Sequence, residues 1–359
     1  MKKSLIALAV ASAVSAPAFA ATANVDIYGR MAFSVDYVDT NNLIGDGADV
    51  VTGRDNVSRF GIKGTEDLGN GLAAIWQVEM ALNANSAAGA TSLRNTFIGL
   101  SSKSLGTVML GRHDTPYKLA TGSLDIFADT AGDYNTIIGT TASGTIYDNR
   151  ATQMVAYMSP TWTGFSFGAA YVEAKNVEAG AGDNQQAVSA MAKYVNGPIF
   201  ASLAYETFSG AAVAAGTGSF GGGSTHTADT EAYKAGLGVK LGALQLGAVY
   251  EMIDSSAVRS ADERDAYYMN AMYSIGAVDL KAAYGMAKDG ESTGASTEFD
   301  YYVVGADYNL SKRTKLFGLY TSLANGNGTT LSQSTTGYTA APTGGQDVEI
   351  VSLGVVHTF

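Results

Sequence analysis

From Val25 to Tyr37 the chain alternates: Val25, Ile27, Gly29, Met31, Phe33, Val35 and Tyr37 fall on one face of an extended segment, and Asp26, Tyr28, Arg30, Ala32, Ser34 and Asp36 on the other. A period of two sustained over this length marks a β-strand with one apolar and one wet face. The same test returns strands at 25–38, 58–66, 72–82, 92–101, 107–112, 150–159, 165–172, 187–195, 199–206, 230–240, 244–251, 265–274, 278–287, 298–308, 314–322 and 347–359, sixteen in all. Between them, short turns such as Asp67-Leu68-Gly69-Asn70-Gly71, Asn196-Gly197-Pro198 and Ile275-Gly276-Ala277 alternate with long connections at 39–57, 113–149, 207–229 and 323–346. An even number of strands with short turns at one end and long loops at the other predicts an all-β fold, a 16-stranded antiparallel transmembrane barrel.

Aromatic positions test this independently. On the apolar series, outward-running strands end in Tyr37, Tyr171, Tyr205, Tyr250, Tyr284 and Tyr320, and returning strands in Phe97, Tyr157, Tyr194, Tyr273, Tyr308 and Phe359. Two girdles at the membrane interfaces are expected from such placement. The second, third and fifth strands lack a terminal tyrosine, which predicts that this part of the wall meets a neighbouring subunit instead of lipid.

The N-terminus adds a destination. Met1-Lys2-Lys3, an apolar run from Leu5 to Val14 and Ala18-Phe19-Ala20 read as a cleaved secretory signal peptide over 1–20, leaving 21–359 as a single barrel domain. No later apolar stretch approaches the about 18 residues a spanning helix needs, which excludes a helical membrane protein. The chain has no Cys although export would permit disulfides, so strand pairing and closure must supply stability. Loss of Lys2 and Lys3 with the leader takes the net charge from −11 to −13, which argues against nucleic acid as a partner.

Barrels of this strand number enclose water, so chemistry belongs on the lumen-facing series. Arg30, Arg59 with Lys63, Arg94 and Arg150 stand on that series in neighbouring strands, and Arg112 ends the fifth. The longest connection carries Asp114, Asp125, Asp129 and Asp133. Folded inward, it would set carboxylates opposite an arginine row, a device by which pores select ions. The other reading is a solvated inner wall with the loop lying outside.

At these residues the chain resembles the general diffusion porins of Gram-negative outer membranes. VDIYGRMAFS is similar to the family's opening strand, SRFGIKGTEDLGNGLAAIWQVE to its second hairpin, LRNTFIGL and GTVMLGR to its fourth and fifth strands, and the final HTF to its terminal aromatic signature. The resemblance implies a homotrimer of sixteen-stranded barrels in the outer membrane, among lipid and lipopolysaccharide, each with its third loop folded into the lumen. It implies that Arg30, Arg59, Arg94 and Arg150 form the basic wall of a constriction, that Arg112 matches a basic position, and that Phe359 is the membrane assembly signal. The loop RHDTPYKLATGSLDIFADTAGDYN departs from the PEFGG form of enteric porins, so Asp125, Asp129 and Asp133 are acidic candidates without a strict positional match.

Other constellations point nowhere firm. Gly216, Gly218 and Gly221 match GxGxxG but lie in a Gly/Ser-rich loop of an all-β chain, not in the βαβ unit that dinucleotide binding needs. His113, His226 and His357 lack metal-ligand spacing, and His113 beside Asp114 has no identifiable nucleophile to activate. Asp46, Asp49 and Asp55 could bind divalent cations that bridge surface lipid, or simply solvate a loop. The expectation is a non-enzymatic, cofactor-free and metal-free channel for passive diffusion of small hydrophilic solutes and ions. A substrate-specific channel and a surface adhesin or receptor barrel with a plugged lumen are the alternatives.

Overall fold

A computed structural model describes residues 24–40, 50–85, 91–140, 147–174, 185–209, 230–255, 263–289, 298–325 and 347–359. The leader, Asp46, Asp49, Gly216, Gly218, Gly221 and His226 lie outside them. Sixteen antiparallel strands form one closed sheet: β1 (Asn24–Thr40), β2 in two halves (Val50–Asp55 and Arg59–Gly69), β3 (Leu72–Ala81), β4 in two halves (Ser92–Leu93 and Thr96–Ser102), β5 (Gly106–Asp114), β6 (Arg150–Met158), β7 (Phe165–Ala174), β8 (Gln185–Asn196), β9 (Ile199–Ser209), β10 (Thr230–Leu241), β11 (Leu244–Ser255), β12 (Arg264–Ile275), β13 (Val278–Asp289), β14 (Glu298–Asn309), β15 (Thr314–Asn325) and β16 (Val348–Thr358). Every neighbour in sequence pairs in space, and β1 closes the barrel by pairing with β16 from Arg30↔Thr358 to Thr40↔Val348. Both halves of β2 lie along β1, which makes them one strand.

Alternation holds on most of the wall: Val25, Ile27, Val35 and Tyr37 are exposed on the outer face while Ala32, Ser34 and Asp36 are buried inside. Tyrosine pairs at the long-loop end, Tyr205–Tyr233, Tyr250–Tyr267 and Tyr284–Tyr302, have ring centroids about 5 Å apart, and their hydroxyls donate to Glu231, Asp265 and Asp300. Phe97 departs from the expected inner girdle. Met80 pairs with Leu93 and Gln77 with Phe97, so β4 carries one residue more than β3 over this span. Such a bulge reverses the parity of everything beyond it. Phe97 therefore faces the lumen, edge-on to His113 at 5.2 Å, while Ile98 and Leu100 take the outer face.

The segment between β5 and β6 crosses the lumen. It holds a short helix α1 (Pro116–Thr121), capped by Thr115, and two single 3-10 turns. Phe127, Ile137 and Ile138 are fully buried against Tyr268, Tyr301, Val303 and other inward residues of the far wall. Burial of each such side chain is worth about 1.5–3 kcal/mol. The wall also reaches for the loop's carbonyls, Asn270 donating to Leu124 at 2.7 Å and Lys281 to Ile126 at 3.0 Å.

At the seam, the backbones of Gly29 and Phe359 exchange hydrogen bonds of 3.0 and 3.1 Å, and a Cβ at Gly29 would overlap the Phe359 ring. Gly29→Val should therefore lower the folded fraction on refolding into detergent, read from the heat-modifiable band on gels. Gly53→Val, on the same face with nothing within 4 Å, should not.

Candidate functional site

Arg30 and Arg59 are direct cross-strand partners on the lumen side of β1 and β2. Like charges in that relation repel, and the crossing loop supplies what offsets it. Asp129 Oδ2 accepts from Nη1 of Arg59 at 2.9 Å and is also ion-paired with Nη1 of Arg30. Against the cost of burial, Arg59 and Arg30 hold the Asp129 carboxyl below the usual carboxylate range.

Asp129 reaches them because its neighbours shape the loop tip. It sits at φ 59°, a left-handed conformation uncommon outside glycine. Asp133 accepts from the Asp129 and Asn135 N–H groups at 2.8 Å each, and Asp125 from Phe127 at 2.9 Å and Tyr134 at 3.2 Å. Of the three loop aspartates only Asp129 touches the arginines. Asp125 and Asp133 spend their oxygens on the loop's own backbone.

The wall supplies its own acids. Arg94 Nε pairs with Glu79 Oε1 at 2.6 Å, and Tyr28 donates to the other Glu79 oxygen at 2.9 Å. Asp114, expected on the loop, ends β5 opposite Arg150 in register, because β5 runs on past the residues that alternate cleanly. It pairs with Arg150 at 2.9 Å and lies 3.7 Å from Lys118 of α1. It thus stands beside the arginine row, not across from it. Arg112, opposite Thr96, forms no ion pair among the described residues, and its Nε is buried. Around a cavity of about 350 Å3 lined by Arg94, Arg150, Lys118, Asp114, Asp129 and Asn135, the wall and loop face each other.

The root of the loop is held by a fully buried set. Lys234 of β10 pairs with Asp148 and, at 3.2 Å, with Glu251, and its Nζ lies 4.0 Å from the Tyr117 ring centroid. Glu251 accepts from the Tyr117 hydroxyl at 2.8 Å and from the Gly139 N–H at 2.6 Å, while Arg264 donates to the carbonyls of Ile137 and Thr140. Glu79, Lys118, Lys234 and Glu251 escaped the sequence reading. For Glu79, Lys234 and Glu251 the only signal was a charged residue on an inward series, which every wet wall shows, and Lys118 lies on the loop helix, where no strand alternation marks it.

The remaining candidates are occupied elsewhere. Asp55 accepts from Ser58 N–H at 2.7 Å and Ala84 N–H at 2.8 Å, so it shapes a turn. His113 Nδ1 lies 2.9 Å from the Asp114 carbonyl, and His357 Nδ1 lies 2.8 Å from the Thr314 hydroxyl.

Burial, and Asp133 beside it, pushes the Asp125 carboxyl well above its ordinary range. Its acid form therefore persists to higher pH than that of an ordinary carboxyl, and loss of the proton as pH rises adds negative charge to the cavity. The expected outcome is a reversal potential that moves toward cations as pH rises above the ordinary carboxylate range, with the movement reduced in Asp125→Asn. Because the raised value belongs to the folded state, the same titration withdraws stability as pH rises.

A closed barrel in which an inward loop leaves a narrow charged gap is a channel for passive diffusion across the outer membrane. The profile of the Gram-negative porin family matches residues 7–329, and the chain belongs to that family. It is 28% identical over 368 residues to outer membrane porin protein 32 of Delftia acidovorans, across the whole of both chains. Its fold is similar to that of the anion-selective porin from Comamonas acidovorans (TM-score 0.78, 24% identity, 94% of this chain and 100% of that one). The trimer form of OmpT of Vibrio cholerae also matches (TM-score 0.65, 18% identity, 94% and 99%).

Proposed function

We propose that this porin prefers anions, that Arg30, Arg59, Arg94, Arg112, Arg150 and Lys118 form the basic side of its constriction, and that Asp129 is the acidic element of the loop. The observation that carries this is the balance of charge. Five of those cations pair with three carboxylates, Asp129, Glu79 and Asp114, and Arg112 pairs with none among the described residues, while Asp125 and Asp133 accept from the loop's own backbone and Asp148 is paired with Lys234. The anion selectivity named for the Comamonas acidovorans porin agrees with this reading. Negative charge on the chain as a whole acts at the mouths and is screened within about 10 Å at 0.1 M salt.

Residues 1–20 act as a cleaved leader, 21–359 form the single mature domain, Phe359 serves as the assembly signal, and the working unit is a homotrimer embedded among lipid and lipopolysaccharide. The trimer form of OmpT supports assembly in threes. So does the outer face of β4 and β5, where Ile98, Leu100, Val108 and Leu110 are exposed without a tyrosine among them. The protein passes small hydrophilic solutes and ions without turnover.

Single-channel recording in a planar bilayer under a salt gradient tests this. Long-lived steps in groups of three with an anion-side reversal potential are expected. A cation-side potential overturns the charge reading, and folded protein that gives no steps favours a plugged receptor or adhesin.

A further inference from the structure

The geometry points to Asn95 as a positioning residue of the pore, acting through Arg150. It rests on the reading of the arginine wall as the selectivity element. The extra residue in β4 falls at Arg94 and Asn95, between Ser92–Leu93 and Thr96–Ser102. In an unbroken strand consecutive side chains point to opposite faces. Here Arg94 keeps the inward parity of the first half and Asn95 takes that of the second, so both enter the lumen.

Once inside, the Asn95 amide is fully engaged with the next two strands. Its Oδ1 accepts from Arg150 Nε at 2.7 Å and from the Asp114 N–H at 3.1 Å, and its Nδ2 donates to Asp114 Oδ2 at 2.9 Å. The orientation of the amide is dictated by its partners, since a guanidinium and a backbone N–H can only donate and a carboxylate can only accept. Gln77 donates to the Asn95 carbonyl at 3.2 Å, which ties the bulge to β3 as well.

The consequence for permeation is a division of labour around Arg150. Asn95 holds Nε, Asp114 holds Nη2 at 2.9 Å, and the guanidinium is fixed at the edge of the cavity. The same amide turns Asp114 Oδ2 toward the wall, so the carboxylate's charge is directed at Arg150 and Lys118 and away from passing ions. No other side chain bridges these two groups among the described residues. An uncharged residue thereby sets how much of Arg150's charge the lumen sees.

A double-mutant cycle in the full-length porin tests this, with reversal potential under a KCl gradient as the readout. Asn95→Leu is expected to lower the anion-to-cation permeability ratio roughly twofold, since a charge retreating from about 5 to about 7 Å in water changes the Coulomb weight about 1.5-fold for each ion, with opposite sign for anion and cation. It should have no further effect in an Arg150→Ala background. Asn95→Ser reads the same cycle with a smaller perturbation if the leucine variant fails to assemble. Unchanged potential in the Asn95 variants while Arg150→Ala shifts it overturns the role of Asn95, as does an equal shift in both backgrounds. If Arg150→Ala itself moves nothing, the charge reading of the wall fails instead.

Discussion

Replacing Arg59 and Arg94 together with alanine is expected to move the reversal potential strongly toward cations. The substitution removes two of six cations from the constriction and releases Glu79 from its guanidinium partner, while Asp129 keeps Arg30. A unit charge about 7 Å from a passing ion is worth about 0.6 kcal/mol in water. That is close to threefold in the permeability of either ion for each charge and approaches tenfold for the pair, with opposite sign for anion and cation. The shift should shrink in molar salt, where the screening length is about 3 Å. A potential that does not move at low salt would show that these arginines stand clear of the ion path.

The second large effect is expected at the loop's root. Lys234→Met leaves Asp148 and Glu251 buried without their ammonium, and breaking a buried pair by removing one partner costs about 3–5 kcal/mol. The denaturant midpoint of the refolded barrel should fall accordingly. Current noise should rise, because Tyr117, Gly139 and Tyr134 are all tied to those two carboxylates. Combining Lys234→Met with Asp148→Asn and Glu251→Gln, which keeps an amide oxygen to accept from Tyr117 or Gly139, should recover most of the stability, since replacing a whole buried ionic set by neutral groups is often harmless. A single variant as stable and as quiet as the parent would remove the anchor from the account.

Periodicity located all sixteen strands because one face of each meets lipid and the other water, the condition under which alternation is most legible. It failed where the backbone breaks step. Val50–Asp55 was read as loop, because β2 is interrupted at Asn56-Val57-Ser58 with Val57 at φ 58°, and the bulge in β4 turned Phe97 from the membrane to the lumen. Arg30, Arg59, Arg94 and Arg150 were visible as inward cations on adjacent strands. Asp114 and Asp129 were candidates without assigned partners and Glu79 was missed, because the acids are matched to the arginines by register and by the path of the loop, neither of which a local pattern encodes. Asp125 and Asp133 looked equivalent to Asp129, and only the backbone N–H groups they accept from distinguish a carboxylate that shapes the loop from one that faces the pore.

The seam has a consequence for how the molecule comes to exist. Ser352 donates to Asp36 from 316 positions away, and along the same line β1 meets β16 in eleven register pairs. Contacts of such sequence separation carry the largest loop-closure entropy in the chain and form late. Until they do, β1 and β16 are bare edges, each able to pair with another copy. Folding should thus pass through an open, curled sheet whose survival depends on something covering both edges, and its slow step should respond to changes along this seam more than to changes at any hairpin.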